Sequence, residues 1–242
     1  MDRKLSVVAN VRYQSSKGKG ASKLKGLLRY VQYRDNRDDH SPQRDRAERW
    51  VDHGLGSNFQ TIAANCEATK SEHVQAFTLV INPNPNLVAL MPEERRVVFV
   101  QALTEATVDT FLAERGIEGL EYSYAIHQRE TTDRVQPGRD NPHTHVILPG
   151  SYYSWQDGDR LPLYMNRNRR ENDIELLHQI AQRQVELLLE HEVGFDWEQR
   201  YDLAVLERDV RSLMAEMAPA DAPAREIDTA ADMRSPGLSL DI

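Results

Sequence analysis

The stretch DNPHTHVILPG, residues 140–150, places two histidines one residue apart at the start of an apolar run. Side chains alternate between the two faces of a β-strand, so a strand starting at His143 would point His143 and His145 to the same face. Neutral imidazole is the commonest metal ligand, but such a site needs at least a third ligand. The stretch therefore predicts a strand that supplies two corners of a metal site. The alternative is a pair of histidines on a solvated strand face.

A third histidine is available on the preceding apolar segment. The stretch LEYSYAIHQ, residues 120–128, predicts a strand with His127 near its end, and a polar segment over 129–142 joins it to the next strand. Antiparallel pairing of the two strands would bring His127 to His143 and His145. Three imidazoles on one sheet face form a metal site that keeps open positions for substrate oxygens.

The composition is that of a globular protein. The chain has 242 residues, of which 40% are hydrophobic and 28% charged, and its mean hydropathy is -0.64. We expect one domain over residues 1–217, followed by an acidic Ala/Pro-rich tail over 218–242 that is disordered. No stretch approaches the length of a transmembrane helix, so we expect no membrane span. The apolar run near the N-terminus breaks at Asn10 and Arg12 and is typical of a strand, not of a signal peptide, so we expect a cytoplasmic location. The single cysteine, Cys66, excludes an intramolecular disulfide and a Cys-rich zinc site.

Positive charge is concentrated at the N-terminal end. The chain carries a net charge of -8. Residues 1–34 hold nine Lys/Arg and one acidic residue, a net +8, so the remaining 208 residues carry -16. Because a nucleic-acid backbone responds to the local field, this asymmetry favours a nucleic-acid partner for the N-terminal segment. The alternative is a solvated basic face.

The apolar pattern predicts an α+β fold. It contains an antiparallel sheet of about five strands that carries the metal site, with helices packed on one face, opposite that site. Strands are predicted over 5–12, 73–82, 120–128 and 143–149, and helices over 22–35, with Ser22 as N-cap, 92–115, 170–192 and 203–217.

Two motifs resemble the plasmid-mobilisation relaxases of the HUH endonuclease superfamily. AIHQ…NPHTHVIL is similar to the family's single histidine on a strand followed by a Pro-His-x-His-hydrophobic strand. LKGLLRYVQYRD, residues 24–35, resembles the family's N-terminal helix, which bears the nucleophilic tyrosine. Rolling-circle replication initiators carry that tyrosine after the two-histidine strand, whereas the predicted helix over 170–192 contains none. The resemblance covers roughly residues 1–200.

The resemblance implies strand-specific nicking and rejoining of DNA during mobilisation or conjugative transfer of a mobile element. A divalent ion, Mg or Mn, would be held by His127, His143 and His145, and Tyr30 would attack the scissile phosphate to give a covalent 5′-phosphotyrosine. Tyr30 is favoured over Tyr33 as the catalytic residue because it directly follows the apolar stripe that anchors the helix. The implied partners are single-stranded DNA at a transfer origin and accessory mobilisation proteins. The residues predicted to bind the DNA are Lys17, Lys19, Lys23, Lys25, Arg29 and Arg34.

Some features depart from the family, and two other functions stay open. The loop over 129–142 is longer than usual, and the carboxylate that often orients a histidine ligand has four candidates: Glu72, Glu130, Asp133 and Asp140.

One alternative function is that of a small metal-dependent or nucleotidyl hydrolase, although its triple His-x-His-x-His strand would need a histidine where Ile147 stands. The other is a non-catalytic single-stranded-DNA-binding accessory protein derived from a relaxase.

Overall fold

Five antiparallel strands form the central sheet in the order β1-β3-β5-β4-β2. The computed structural model describes residues 7–17, 20–33, 49–128, 141–168 and 171–217. The sheet strands are β1 (Val7–Ser15), β2 (Trp50–His53), β3 (Val74–Pro83), β4 (Tyr122–His127) and β5 (His143–Pro149), and a separate hairpin consists of β6 (Ser151–Ser154) and β7 (Asp159–Pro162). The helices are α1 (Gly20–Tyr33), α2 (Phe59–Ala68), α3 (Pro85–Val88), α4 (Glu93–Glu114), α5 (Asp173–Glu192) and α6 (Trp197–Met217). The predicted α+β class and the antiparallel five-stranded sheet are confirmed.

The chain divides into two units, Met1–Leu203 and Ala204–Ile242. The first contains the sheet, the hairpin and α1 to α5, and the described part of the second continues α6. The tail predicted over 218–242 lies outside the described residues. Among the residues that are described, no helix combines the length and the apolar character needed to cross a membrane.

One sheet face packs against the long helices. Phe77, Leu79, Tyr124, Val146 and Leu148 point to this side and form a buried core with the apolar stripes of α4 and α5. Both helices have acidic residues in their first turn, where the positive end of the helix dipole favours them. The long helices therefore lie opposite the histidine face, as predicted.

The expectation of helices on one face alone is wrong, because α1 and α2 cover part of the other face. Leu24, Leu28 and Val31 of α1 are fully buried in a second core, together with Ala125 and Ile147 of the sheet. An apolar stripe at this spacing stabilises a helix only when it is buried, and the histidine face offers small and branched side chains to pack on. The helix begins at Gly20, so Ser22 lies inside it and is not its N-cap.

A buried side chain fixes α1 against its neighbours. The Gln32 side-chain oxygen accepts hydrogen bonds from the Trp50 indole N–H at 3.1 Å and from the Phe59 backbone N–H at 2.9 Å. Gln32 thus joins α1 to the edge strand β2 and to the first turn of α2, whose N-terminal N–H groups lack intrahelical acceptors. The orientation of α1 follows from this network and from the core beneath it.

Candidate metal centre

The three predicted histidines converge on the face covered by α1. His127 pairs directly with His143 in the β4–β5 ladder, and His145 lies two residues further along the same face. One ring nitrogen from each histidine can be chosen so that all three lie within 4.8 Å of one another. The ring centroids are 4.6 to 5.4 Å apart.

Backbone carbonyls orient two of the rings. The Nε2–H of His127 donates to the carbonyl of Val31 at 2.6 Å, and the Nδ1–H of His143 donates to the carbonyl of Asn141 at 3.1 Å. In the neutral tautomers that these bonds require, the lone pairs lie on Nδ1 of His127 and on Nε2 of His143. Histidine ligands of metals commonly donate the other ring N–H to a carbonyl in this way, so the bonds fit a metal centre.

The cluster fits a divalent cation in charge and composition. His127 and His143 are buried, and His145 is partly buried with its Nε2 atom enclosed. The bonded carbonyl of Val31 belongs to the last turn of α1, where the helix dipole is negative and favours a cation. A metal–nitrogen distance near 2.1 Å requires the nitrogens to be about 3.4 Å apart, so metal binding needs a small contraction of the cluster. An all-nitrogen donor set suits first-row transition ions better than Mg²⁺.

The two candidate tyrosines point in directions about 60° apart around the axis of α1. Their side chains are similarly exposed, 41% for Tyr30 and 38% for Tyr33. Tyr33 makes an edge-to-face contact with Phe59 of α2, with ring centroids 6.1 Å apart. Tyr30 directly precedes Val31, whose carbonyl accepts the hydrogen bond from His127. Around the helix axis, Tyr30 is about 200° from Gln32, which faces β2. Tyr30 therefore lies on the flank of α1 that faces the opposite sheet edge, β1.

The basic residues predicted to bind DNA are spread around the N-terminal segment. Lys23, Lys25 and Arg29 are exposed on α1. Lys17 is also exposed, but its ammonium group pairs with Glu72 at 3.2 Å. The remaining two predicted residues, Lys19 and Arg34, lie outside the described ranges. An electropositive surface on α1 thus lies near the histidine cluster.

Within the described residues, two of the histidine rings bond backbone carbonyls, and the predicted carboxylate partner stays a prediction. The hydrogen bond from Lys17 holds the pKa of Glu72 below its ordinary value, and this pairing engages Glu72 away from the cluster. The other three candidates, Glu130, Asp133 and Asp140, fall in 129–140, which the structure does not describe. A main-chain oxygen has no residue-type signature, so the roles of the Val31 and Asn141 carbonyls could not be predicted from the sequence.

Comparisons with known proteins add a fold likeness. No family model and no curated protein matches this sequence. Among solved structures, the chain is similar to TrwC complexed with a 27-mer DNA comprising the recognition hairpin and the cleavage site. The similarity covers 97% of this chain and 93% of the other, with a TM-score of 0.47 and 12% sequence identity. A likeness at this level establishes neither an activity nor the residues that perform it.

Proposed function

We propose that this chain is a metal-dependent, strand-specific DNA nicking and rejoining enzyme of the relaxase type. It would act in the cytoplasm on single-stranded DNA at the transfer origin of a mobile element, with accessory mobilisation proteins as further partners. Tyr30 is the proposed nucleophile, and His127, His143 and His145 are the proposed ligands of a divalent ion such as Mn²⁺ or Mg²⁺.

One observation carries the proposal: the hydrogen bond between His127 and the carbonyl of Val31. It ties the histidine cluster to the end of α1, one residue after Tyr30. A nucleophile and a cation that act on one phosphate must be held in a fixed relation, because misplacement by about 1 Å is costly to catalysis. A buried bond of 2.6 Å between the two elements supports the proposal because it would help to maintain that relation. Ordinary packing of a helix on a sheet does not require three histidines beneath its end.

The chemistry needs charge neutralisation at the scissile phosphate. A bound divalent ion would stabilise the negative charge that develops on the phosphate and on the leaving oxygen. The three imidazoles would hold the ion, and the carbonyls of Val31 and Asn141 fix the tautomers of two of the rings.

The proposed covalent step is a transesterification. The phenolic oxygen of Tyr30 forms a bond to phosphorus, its proton is released to solvent, and the bond from phosphorus to the 3′ oxygen breaks. The leaving oxygen takes up a proton and becomes a 3′-hydroxyl, while the 5′ phosphate stays attached to the tyrosine. Because one phosphodiester replaces another, attack by the 3′-hydroxyl reverses the step and rejoins the strand.

The test is covalent capture of labelled single-stranded DNA from the neighbouring transfer origin. With Mn²⁺ present, the wild-type protein is expected to give a protein–DNA band that survives denaturation. His143→Ala and His145→Ala should lose the band, and His178→Ala, outside the cluster on α5, should keep it. A wild-type protein that binds the strand but never forms the band would favour the non-catalytic accessory function. A band that persists in both cluster variants would remove the histidines from the mechanism.

A further inference from the structure

The sheet face that carries the histidines remains open along its β1 edge. Asn10 pairs with Val80, which in turn pairs with His145, and Arg12 pairs with Thr78 in the next row along. Antiparallel partners point to the same face, so Asn10 and Arg12 share the face of the histidines. Both are exposed, whereas the other face of β1 is buried against the long helices.

Arg12 lies within reach of a strand that crosses the histidine cluster. Across the sheet, Arg12 is two strands, or about 10 Å, from His145. Along the strand direction, they are about 7 Å, the length of two residues, apart. The Cα atoms are therefore about 12 Å apart. An extended DNA strand with one phosphate at the cluster would place a neighbouring phosphate, one or two nucleotides away, at this distance.

The flank of α1 that faces β1 supplies a second cation. Lys23, Leu27 and Tyr30 are spaced by four and three residues, so they lie along one flank of the helix. Gln32 is on the opposite flank and bonds Trp50 of β2, at the other edge of the sheet. Lys23 lies about 10 Å further from the cluster than Tyr30, measured along the helix axis. Lys23 and Arg12 thus border the same groove between α1 and β1, and neither pairs with a carboxylate among the described residues.

The floor of this groove contains polar atoms that lack partners. The Thr78 hydroxyl and the Asn82 side-chain oxygen are buried and make no hydrogen bond within the part of the chain that is described. Thr78 lies in the row of Arg12, and Asn82 is two residues beyond Val80 on the same strand face. Unsatisfied polar atoms of this kind are rare in protein cores. Thr78 and Asn82 thus make part of the groove floor polar.

We propose that Arg12 and Lys23 form a second phosphate-binding site, which holds the DNA one or two nucleotides from the phosphate at the histidine cluster. The inference rests on the proposed function, since it concerns the same DNA strand. A guanidinium from the sheet and an ammonium from the helix would grip one phosphate from two sides, and the strand would lie in the groove beneath Tyr30.

Salt dependence of binding tests this site without cleavage. Fluorescence anisotropy would measure the affinity for a labelled twenty-nucleotide oligo-dT in EDTA at several salt concentrations. For single strands, log K falls against log salt with a slope of about -0.7 per phosphate contact. Because the two side chains would hold one phosphate between them, Arg12→Ala combined with Lys23→Ala should make the slope about 0.7 less steep. The matched control is Arg160→Ala combined with Arg183→Ala, which removes the same charge from β7 and α5 and should leave the slope unchanged.

The outcomes separate this inference from the proposed function. A slope that changes in the Arg12/Lys23 variant and stays constant in the control supports the second site. Equal slopes in wild type and variant, or equal changes in variant and control, overturn it even if the covalent adduct forms. No binding of oligo-dT by the wild-type protein would overturn the inference and contradict the proposed function as well. Because all four substituted side chains are exposed, both double variants should unfold close to the wild-type temperature.

Discussion

Gln32→Met should destabilise the protein by removing one buried acceptor that serves two donors. The Gln32 oxygen accepts from the Trp50 indole N–H and from the Phe59 backbone N–H, and Gln32 is only 3% exposed. Methionine has nearly the same size and shape, so the substitution leaves little cavity and mainly leaves two donors without an acceptor.

The expected loss follows from the two donors. A buried polar group left without its partner costs about 1–3 kcal/mol, so the loss of the acceptor of two donors in Gln32→Met should lower the free energy of unfolding by about 2–6 kcal/mol. For a domain of this size each kcal/mol lowers Tm by about 2–4 °C. The control is Gln60→Met on the exposed surface of α2, which should change the free energy of unfolding by less than about 0.5 kcal/mol.

Urea unfolding of a double-mutant cycle with Trp50→Phe isolates the indole contribution. In the wild-type background Trp50→Phe deletes a satisfied hydrogen bond, whereas in the Gln32→Met background it deletes a donor that is already unsatisfied. The cost of Trp50→Phe should therefore be smaller by about 1–2 kcal/mol in the second background. Additive free energies, or a Gln32→Met variant as stable as Gln60→Met, would refute the role assigned to Gln32.

Two further predictions concern titratable groups. Burial raises the pKa of the Cys66 thiol to about 12, so iodoacetamide at pH 8 should label the native protein at least about 100-fold more slowly than the urea-unfolded protein; comparable rates would contradict the burial. The hydrogen bond from Arg95 lowers the pKa of Glu192. The stabilisation by this ion pair is therefore present above the pKa that Glu192 has in the unfolded chain, and it is lost as pH falls through the lower pKa of the folded protein. Glu192→Gln should cost up to about 1 kcal/mol at pH 7, and a difference from wild type that persists undiminished at pH 2 would count against this linkage.

The elements that could be predicted from the sequence are those with a regular spacing of apolar residues or with clear boundary residues. The strand over 143–149 was predicted with the bounds that β5 has, because Pro142 and Gly150 delimit an apolar run. The pairing of His127 with His143 followed from the polar connection between two adjacent strands. Long amphipathic helices were predicted within a few residues, apart from α6, which starts at Trp197 and not near Leu203.

The elements that were missed are short or depend on tertiary contacts. The strand β2 has four residues, too few to show an alternating pattern, and it is held by pairing with β4. The hairpin strands β6 and β7 also have four residues each and are held by pairing with each other. Placement of α1 and α2 on the histidine face depends on Gln32, whose buried acceptor role is decided by partners 18 and 27 residues away. The hydrogen bonds from the histidines to backbone carbonyls could not be predicted, because any residue type supplies a carbonyl.

The most direct test of the central claim is the site of DNA attachment. Trypsin cleaves after Arg29 and Arg34, so one peptide, residues 30–34, contains both candidate tyrosines. After reaction with labelled single-stranded origin DNA and Mn²⁺ and digestion with nuclease, fragment-ion mass spectrometry should place the remaining nucleotide on Tyr30, and Tyr30→Phe should abolish the modified peptide. Attachment at Tyr33 would contradict the assigned nucleophile, and the absence of any nucleotide on a tyrosine of a protein that binds and cuts the strand would contradict the covalent mechanism itself.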